Sequence, residues 1–257
     1  MPELPEVETV CRQLRRRIYG KRILAGEIDD SKLSHINHLQ AGEILNVERR
    51  GKIIVIDLKG GLSIKIHLRM TGRLLWQKNT EAPRHSRWRL SFPDGYLFLV
   101  DPRRFATVNI EETKKEKITN DLMEDFDEKA FLRKEACRET YVKSVLMDQR
   151  AIAGIGNIYA CEILHQSGIS PLRKASSLSM QEWKKIFTAA RRILKKGIKK
   201  RGTSISDWRD LDGCPGENQH ELKVYRREGN DCSNCGSNIC RIKQEGRSTF
   251  YCPGCQR

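Results

Sequence analysis

Apolar positions recur through most of the chain, and their period changes along it. Near the start, Val7, Val10, Leu14 and Ile18 fall three and four residues apart, one face of a helix. Pro5 suits the first turn of that helix, where a missing N–H costs nothing, and Glu6 and Glu8 complement its positive end. Arg15, Arg16 and Arg17 sit near the negative end, and Gly20 terminates it. From Lys21 to about Glu111 the texture is that of strands. Runs at 53–58, 62–68, 88–92 and 96–100 are short and rich in β-branched or aromatic residues. Lys59-Gly60-Gly61 and Pro93-Asp94-Gly95 separate them as turns. Ser63, Lys65 and His67 alternate with Leu62, Ile64, Ile66 and Leu68, as a half-buried strand requires. About eight strands at this spacing predict a β-sandwich or barrel.

Residues 111–120 are charged and polar and read as a link. Beyond them the period is helical. Asp127 caps a helix running to about Cys137, and a second starts at Gly156-Asn157 and reaches about Ser167. A third opens with a Ser179…Glu182 capping box and buries Trp183, Ile186, Phe187, Ala190 and Leu194. Residues 202–220 have the composition of a loop, and cysteines dominate from about Gly229. The expected fold is α+β in three parts: a β-sandwich with a leading helix (1–112), a helical domain (113–228) and a cysteine-bearing hairpin (229–257).

Composition adds a partner and a compartment. The 257 residues carry 48 Lys+Arg against 33 Asp+Glu, a net charge of +15. That excess points to a polyanion, nucleic acid being the commonest, or to a merely basic soluble protein. No run approaches the ~18 consecutive apolar residues of a membrane span. The acidic, proline-rich opening is the reverse of a secretory leader, and nine cysteines, an odd number in a long chain, suit a reducing cytoplasm.

Three stretches carry candidate chemistry. Cys232-x2-Cys235-x16-Cys252-x2-Cys255 has the spacing of a four-thiolate zinc site, one structural ion per chain. Between the knuckles, 239–243 and 248–251 read as a hairpin with Arg247 projecting from its tip towards a phosphate. Most of the other cysteines, Cys11, Cys137, Cys161, Cys214 and Cys240, are expected as buried free thiols. Gly154-Ile155-Gly156-Asn157 opens a helix and is either a structural turn or a phosphate cradle. Finally, removal of Met1 would leave Pro2 a free secondary amine, able to attack an aldehyde-level carbon, with Glu3 beside it to move protons. The plainer reading is that Pro2 and Pro5 stiffen the chain entering the helix.

Taken together these segments resemble the formamidopyrimidine-DNA glycosylase family from end to end. The resemblance rests on the opening Met1-Pro2-Glu3-Leu4-Pro5-Glu6, on His67-Leu68-Arg69-Met70-Thr71-Gly72, on Asp101-Pro102-Arg103-Arg104-Phe105, on Gly154 to Tyr159, and on the finger from Arg247 to Gln256. It implies a helix–two-turn–helix in the helical domain, a zinc finger, and a monomeric base-excision-repair enzyme that removes oxidised purines from double-stranded DNA and cleaves abasic sites. It implies Pro2 as nucleophile on the sugar C1′, Glu3 as general acid/base, and catalytic roles for Lys52 and Arg247. Met70, Arg103 and Phe105 would fill the gap left by the extruded nucleotide, where the residue pattern of Met70 and Phe105 alone suggests core packing. His67, His85, Arg138, Lys143 and Asn157 would contact DNA.

The sequence departs from the family at 212–220, the expected lesion-capping loop, where Glu217 and Asn218 follow Pro215-Gly216 in place of an aromatic pair. The Leu-Gly-Pro-Glu-Pro-type segment that many members have after the sandwich is also absent, replaced by 119–127. The alternatives are an endonuclease VIII-type glycosylase acting on oxidised pyrimidines and a non-enzymatic zinc-ribbon protein that binds damaged DNA.

Overall fold

The computed structural model describes residues 1–36, 41–113 and 119–257, so the expected link at 111–120 lies partly outside the described residues. The chain divides into two compact units, one of residues 1–116 with 200–219 and one of 117–199 with 220–257.

In the first unit, helix α1 (Leu4–Ile18) precedes strands β1 (Arg22–Ile23), β2 (Ala25–Ile28), β3 (Gly42–Arg50), β4 (Ile53–Leu58), β5 (Leu62–His67), β6 (Arg73–Gln77), β7 (Ser86–Phe92), β8 (Gly95–Val100) and β9 (Thr107–Glu112). They form two antiparallel sheets, ordered β1-β3-β4-β5-β9 and β2-β7-β8-β6. Register places Ile54 opposite Ile66 and Ile56 opposite Ile64. These four side chains face Leu74, Trp88, Leu90, Leu97 and Leu99 of the other sheet across one core, which Val7, Val10 and Leu14 of α1 also enter. Residues 111 and 112 extend β9 instead of belonging to a link.

The loop at 200–219 departs from the expected domain division. Trp208 and Leu211 are buried in the core of the first unit. The Leu211 N–H donates to Gln13 Oε1 of α1 at 3.0 Å, and the Leu211 carbonyl accepts from Trp76 N of β6 at 2.9 Å. Burial of two large side chains, at roughly 1.5–3 kcal/mol each, holds this segment to the sandwich.

The second unit contains α2 (Glu128–Lys134), α3 (Val142–Met147), α4 (Asn157–Ser167), α5 (Met180–Lys199) and a hairpin of β10 (Cys240–Gln244) and β11 (Arg247–Tyr251). Asp127 caps α2 by accepting from Ala130 N at 2.9 Å, but the helix stops at Lys134, short of Cys137. Ser179 and Glu182 form the expected capping box, and α5 buries all five expected apolar residues. Trp183 and Phe187 meet Phe131 edge-on at centroid distances of 5.0 and 5.2 Å. Helix α4 packs against α5, α3 and β11, and so is the spine of this unit. No helix is long and apolar enough to cross a membrane among the described residues.

Candidate active site

Met1 is half exposed, whereas Pro2 and Glu3 are buried at the start of α1. Glu6 fixes this start from both sides. Its Oε2 accepts from Glu3 N at 2.7 Å, and its Oε1 accepts from Thr203 N at 2.6 Å. Gly202 makes that approach possible: its φ is +83°, and a Cβ there would lie 2.7 Å from Glu6 Cγ. Asn218 of the same loop is buried and donates to Thr203 Oγ1 at 2.8 Å, while Glu217 pairs with Arg201 at the surface. Lys52 follows Gly51 (φ +60°) in the tight connection between β3 and β4 and is buried. Pairing of Ile53 with His67 brings Lys52 near His67. Burial, then the charges of Arg69 and Lys52, lower the His67 pKa to about 4. Its Nδ1 accepts from Arg69 N at 3.0 Å, which leaves Nε2–H as the donor of a neutral ring.

Met70 and Phe105 are each 47% exposed, against the core packing that their residue type suggests. Both loops that carry them close on one buried carboxylate. Asp101 Oδ1 accepts from Thr71 Oγ1 at 2.5 Å and Arg103 N at 3.2 Å. Its Oδ2 accepts from Phe105 N and Ala106 N, each at 2.7 Å. Arg103 lies over the Phe105 ring, 4.7 Å from its centroid. Gly72 permits the tight turn, since a Cβ there would lie 2.4 Å from the Leu68 carbonyl oxygen. Exposed His85 accepts Asp101 N through its carbonyl at 3.0 Å. Arg104, at φ +57°, reaches back to Asp30, which also holds Arg87 in the interior.

In the second unit, Lys143 is buried and its Nζ donates to Asn157 Oδ1 and Thr249 Oγ1, both at 2.6 Å. Asn157, first residue of α4, donates in turn to the Ser248 carbonyl at 2.9 Å. Helix, lysine and hairpin are thereby one rigid group. Arg247 is exposed and lines a cavity of about 140 Å³ with Lys143, Ser144 and Gln244. It is the first residue of β11, paired with Gln244, so that of the expected tip Glu245-Gly246-Arg247 only Glu245 and Gly246, both at positive φ, form the turn. Arg138 is held by Asp148 at 2.8 Å and Glu135 at 3.0 Å.

The Sγ atoms of Cys232, Cys235, Cys252 and Cys255 all lie within 4.8 Å of one another. The closest pairs, 3.4 Å and 3.7 Å, are far longer than a disulfide and near the ~3.8 Å that four sulfurs keep around a tetrahedral ion at ~2.3 Å each. The donor set therefore fits a metal ion. Hydrogen bonds from Ser237 lower Cys235 to about 6, while its contact with Cys235 raises Cys255, a crowding of thiols that a divalent cation relieves. Buried His165 of α4 places Nε2 3.4 Å from Cys232 Sγ. Of the remaining cysteines only Cys11 and Cys161 are buried; Cys137 and Cys214 are exposed and Cys240 is intermediate, because helix α2 ends early and the 212–214 turn faces solvent.

Sequence patterns overlooked three connecting residues. Glu6 was legible as a helix-start acid, with Glu3…Glu6 at capping-box spacing, but its bond to Thr203 spans 197 residues. Asp101 stands before Pro102, a turn signal that reveals none of its partners. His165 has no local signal at all, since Cys232 lies 67 residues on.

The model of the formamidopyrimidine-DNA glycosylase N-terminal domain matches residues 1–108, and that of the formamidopyrimidine-DNA glycosylase H2TH domain matches 118–208. The chain belongs to the formamidopyrimidine-DNA glycosylase family. It is accordingly an enzyme, a DNA glycosylase of base-excision repair. The formamidopyrimidine-DNA glycosylase of Carboxydothermus hydrogenoformans is 40% identical over 265 residues, covering both chains completely. That of Pelotomaculum thermopropionicum is 38% identical over 274 residues, covering 100% of this chain and 99% of the relative. Among solved structures, a Lactococcus lactis glycosylase bound to abasic-site DNA superposes with a TM-score of 0.90 at 34% identity over 99% of each chain. A variant of that glycosylase bound to Fapy-dG DNA gives 0.91 at 34% identity over 100% of each chain.

Proposed function

We propose that this glycosylase removes oxidised purines, such as 8-oxoguanine and ring-opened purines, from duplex DNA and then cuts the strand at the abasic site. The observation that carries this reading is the N-terminus: Met1 stands at the surface, and Pro2 and Glu3 behind it are fixed by Glu6. Loss of Met1 frees the Pro2 amine, whose pKa near 8 leaves part of it neutral at physiological pH. Its nitrogen forms a bond to the sugar C1′ as the glycosidic bond breaks, and the base departs with that electron pair and the proton that the amine gives up. Glu3 protonates the sugar ring oxygen, so that the ring opens to an iminium. The iminium acidifies the neighbouring C–H, and its deprotonation expels the 3′ phosphate; Arg247 assists the second elimination, at the 5′ side.

The Lactococcus lactis complexes with abasic-site and Fapy-dG DNA support those lesions as substrates. A base in a stacked duplex is out of reach, so the nucleotide is extruded at a cost of a few kcal/mol. Exposed Met70 and Phe105 suit wedges that replace the lost stacking, with Arg103 facing the orphaned base. Lys52, Lys143 and Asn157 serve the phosphates around the lesion, with His67, His85 and Arg138 as further DNA contacts. The four cysteines hold one zinc ion, which supplies folding energy to the hairpin that bears Arg247. The bacterial relatives support a cytoplasmic enzyme, and it acts as a monomer in this reading.

Excision assays on duplexes with 8-oxoguanine or thymine glycol opposite their normal partners test the substrate class. Preferential release of 8-oxoguanine is expected. A strong preference for thymine glycol would assign the protein to the oxidised-pyrimidine class instead.

A further inference from the structure

Helix α5 carries more charge than its packing uses. Its only acid, Glu182, is held by Arg173, and of its cations Arg191 pairs with Glu128 and Lys196 with Glu221. Lys184, Lys185, Arg192, Lys195 and Lys199 are exposed, with no ion pair among the described residues. Lys184, Thr188, Arg192, Lys195 and Lys199 recur at three- and four-residue spacing along one face, a ladder of about 22 Å. Beside it, α5 and the end of α4 enclose a groove of about 550 Å³ whose lining includes no acidic residue. Gln166, Gln181 and Thr188 add neutral donors to the cations Lys184, Lys185 and Arg192.

We propose that this face of α5 binds the sugar-phosphate backbone of a second, undamaged DNA duplex. A single small anion would need one focused pocket, and an acidic peptide would need apolar anchor points, whereas Ala189 is the only apolar residue of the lining. A long ladder of cations with interleaved amides and hydroxyls matches a regularly charged rod, read without sequence. The groove is also separate from the phosphate-binding group already described: Gln166 and Ser167 lie about 15 Å beyond Asn157 along α4. Choosing DNA among polyanions rests on the proposed function. A protein that holds one duplex while touching another can pass between DNA segments without first dissociating.

The test loads the full-length protein with an uncleavable abasic-site duplex and titrates a labelled undamaged duplex at low salt, followed by sedimentation velocity. A parallel titration uses the undamaged duplex alone. The wild-type complex is expected to take up a second duplex. The variant Lys184→Gln/Lys185→Gln/Arg192→Gln should bind it about ten-fold or more weaker, with a flatter salt dependence, since each lost phosphate contact removes ~0.9 from the slope. Excision from lesion duplex should be unchanged in the variant. The proposal is overturned if the loaded wild type takes up no second duplex, if the variant takes it up equally well, or if excision falls in parallel. Displacement by polyglutamate at lower concentration than by unlabelled duplex would also overturn it, in favour of an acidic protein. Absence of excision by the wild type would sink the catalytic reading, and the titration with undamaged duplex alone would still decide this one.

Discussion

Asp101 shows how one buried charge organises an exposed surface. It is 1% exposed, yet its four hydrogen bonds fix the backbone beneath Arg103 and Phe105 and the hydroxyl next to Met70. The side chains of Met70 and Phe105 contribute less to folding than core residues do, because each leaves 47% of its surface in solvent. Met70→Ala is expected to change stability by less than about 0.5 kcal/mol while weakening binding to lesion duplex, as thermal melts and fluorescence titration would show. A large loss of stability would return Met70 to the core. His67 gives a pH signature. Its folded pKa of about 4 lies below the unfolded value of 6.5, so the unfolded chain binds the extra proton in that interval. The stability that depends on neutral His67 is complete above pH 6.5 and is lost as pH falls towards 4. The melting temperature should therefore fall less steeply across this window in His67→Gln than in the wild type; equal slopes would contradict the buried environment. Neither feature was visible in the sequence beyond the identity of the motif, since the bond from Thr71 reaches Asp101 across 30 residues and the depressed His67 pKa depends on burial and on Lys52 in the preceding strand connection.

The elements themselves were far more legible. Helix α5 has a full amphipathic period and a capping box, and β4, β5 and β8 alternate or run apolar between clear turns. The missing helix, α3, has only six residues, too few for a period to stand out. The cysteine spacing foretold the thiol cluster, but not its attachment to α4. That attachment runs through the Lys143–Asn157–Ser248 bonds, the core of Cys161, Val224, Ile239 and Phe250, and His165 against Cys232. An imidazole N–H donated to a thiolate draws charge from the sulfur and holds the ligand in place. His165→Phe should thus lose the metal ion proposed to be zinc to a chelator about ten-fold faster than the wild type, with the metal followed by a chromogenic indicator. Unchanged release would reduce His165 to a packing residue.

At the scale of the whole molecule, the excess charge of +15 has distinct destinations. Some cations are structural: Arg87 and Arg104, both held by Asp30. Others, Arg247 and the outer face of α5, remain at the surface. The domain order read from the sequence failed at one place, because the 200–219 loop returns to the sandwich through Trp208, Leu211 and Thr203. No local pattern announces a contact across nearly two hundred residues. That return gives Glu6 its second partner and so helps to fix the N-terminal residues on which the proposed chemistry depends. The proposed chemistry is most directly tested by borohydride reduction of the enzyme on an abasic duplex, followed by peptide mass mapping of the trapped adduct. The account predicts a chain that begins at Pro2, with the sugar joined to that residue. A retained Met1, an adduct on Lys52 or another lysine, or no adduct at all would contradict it.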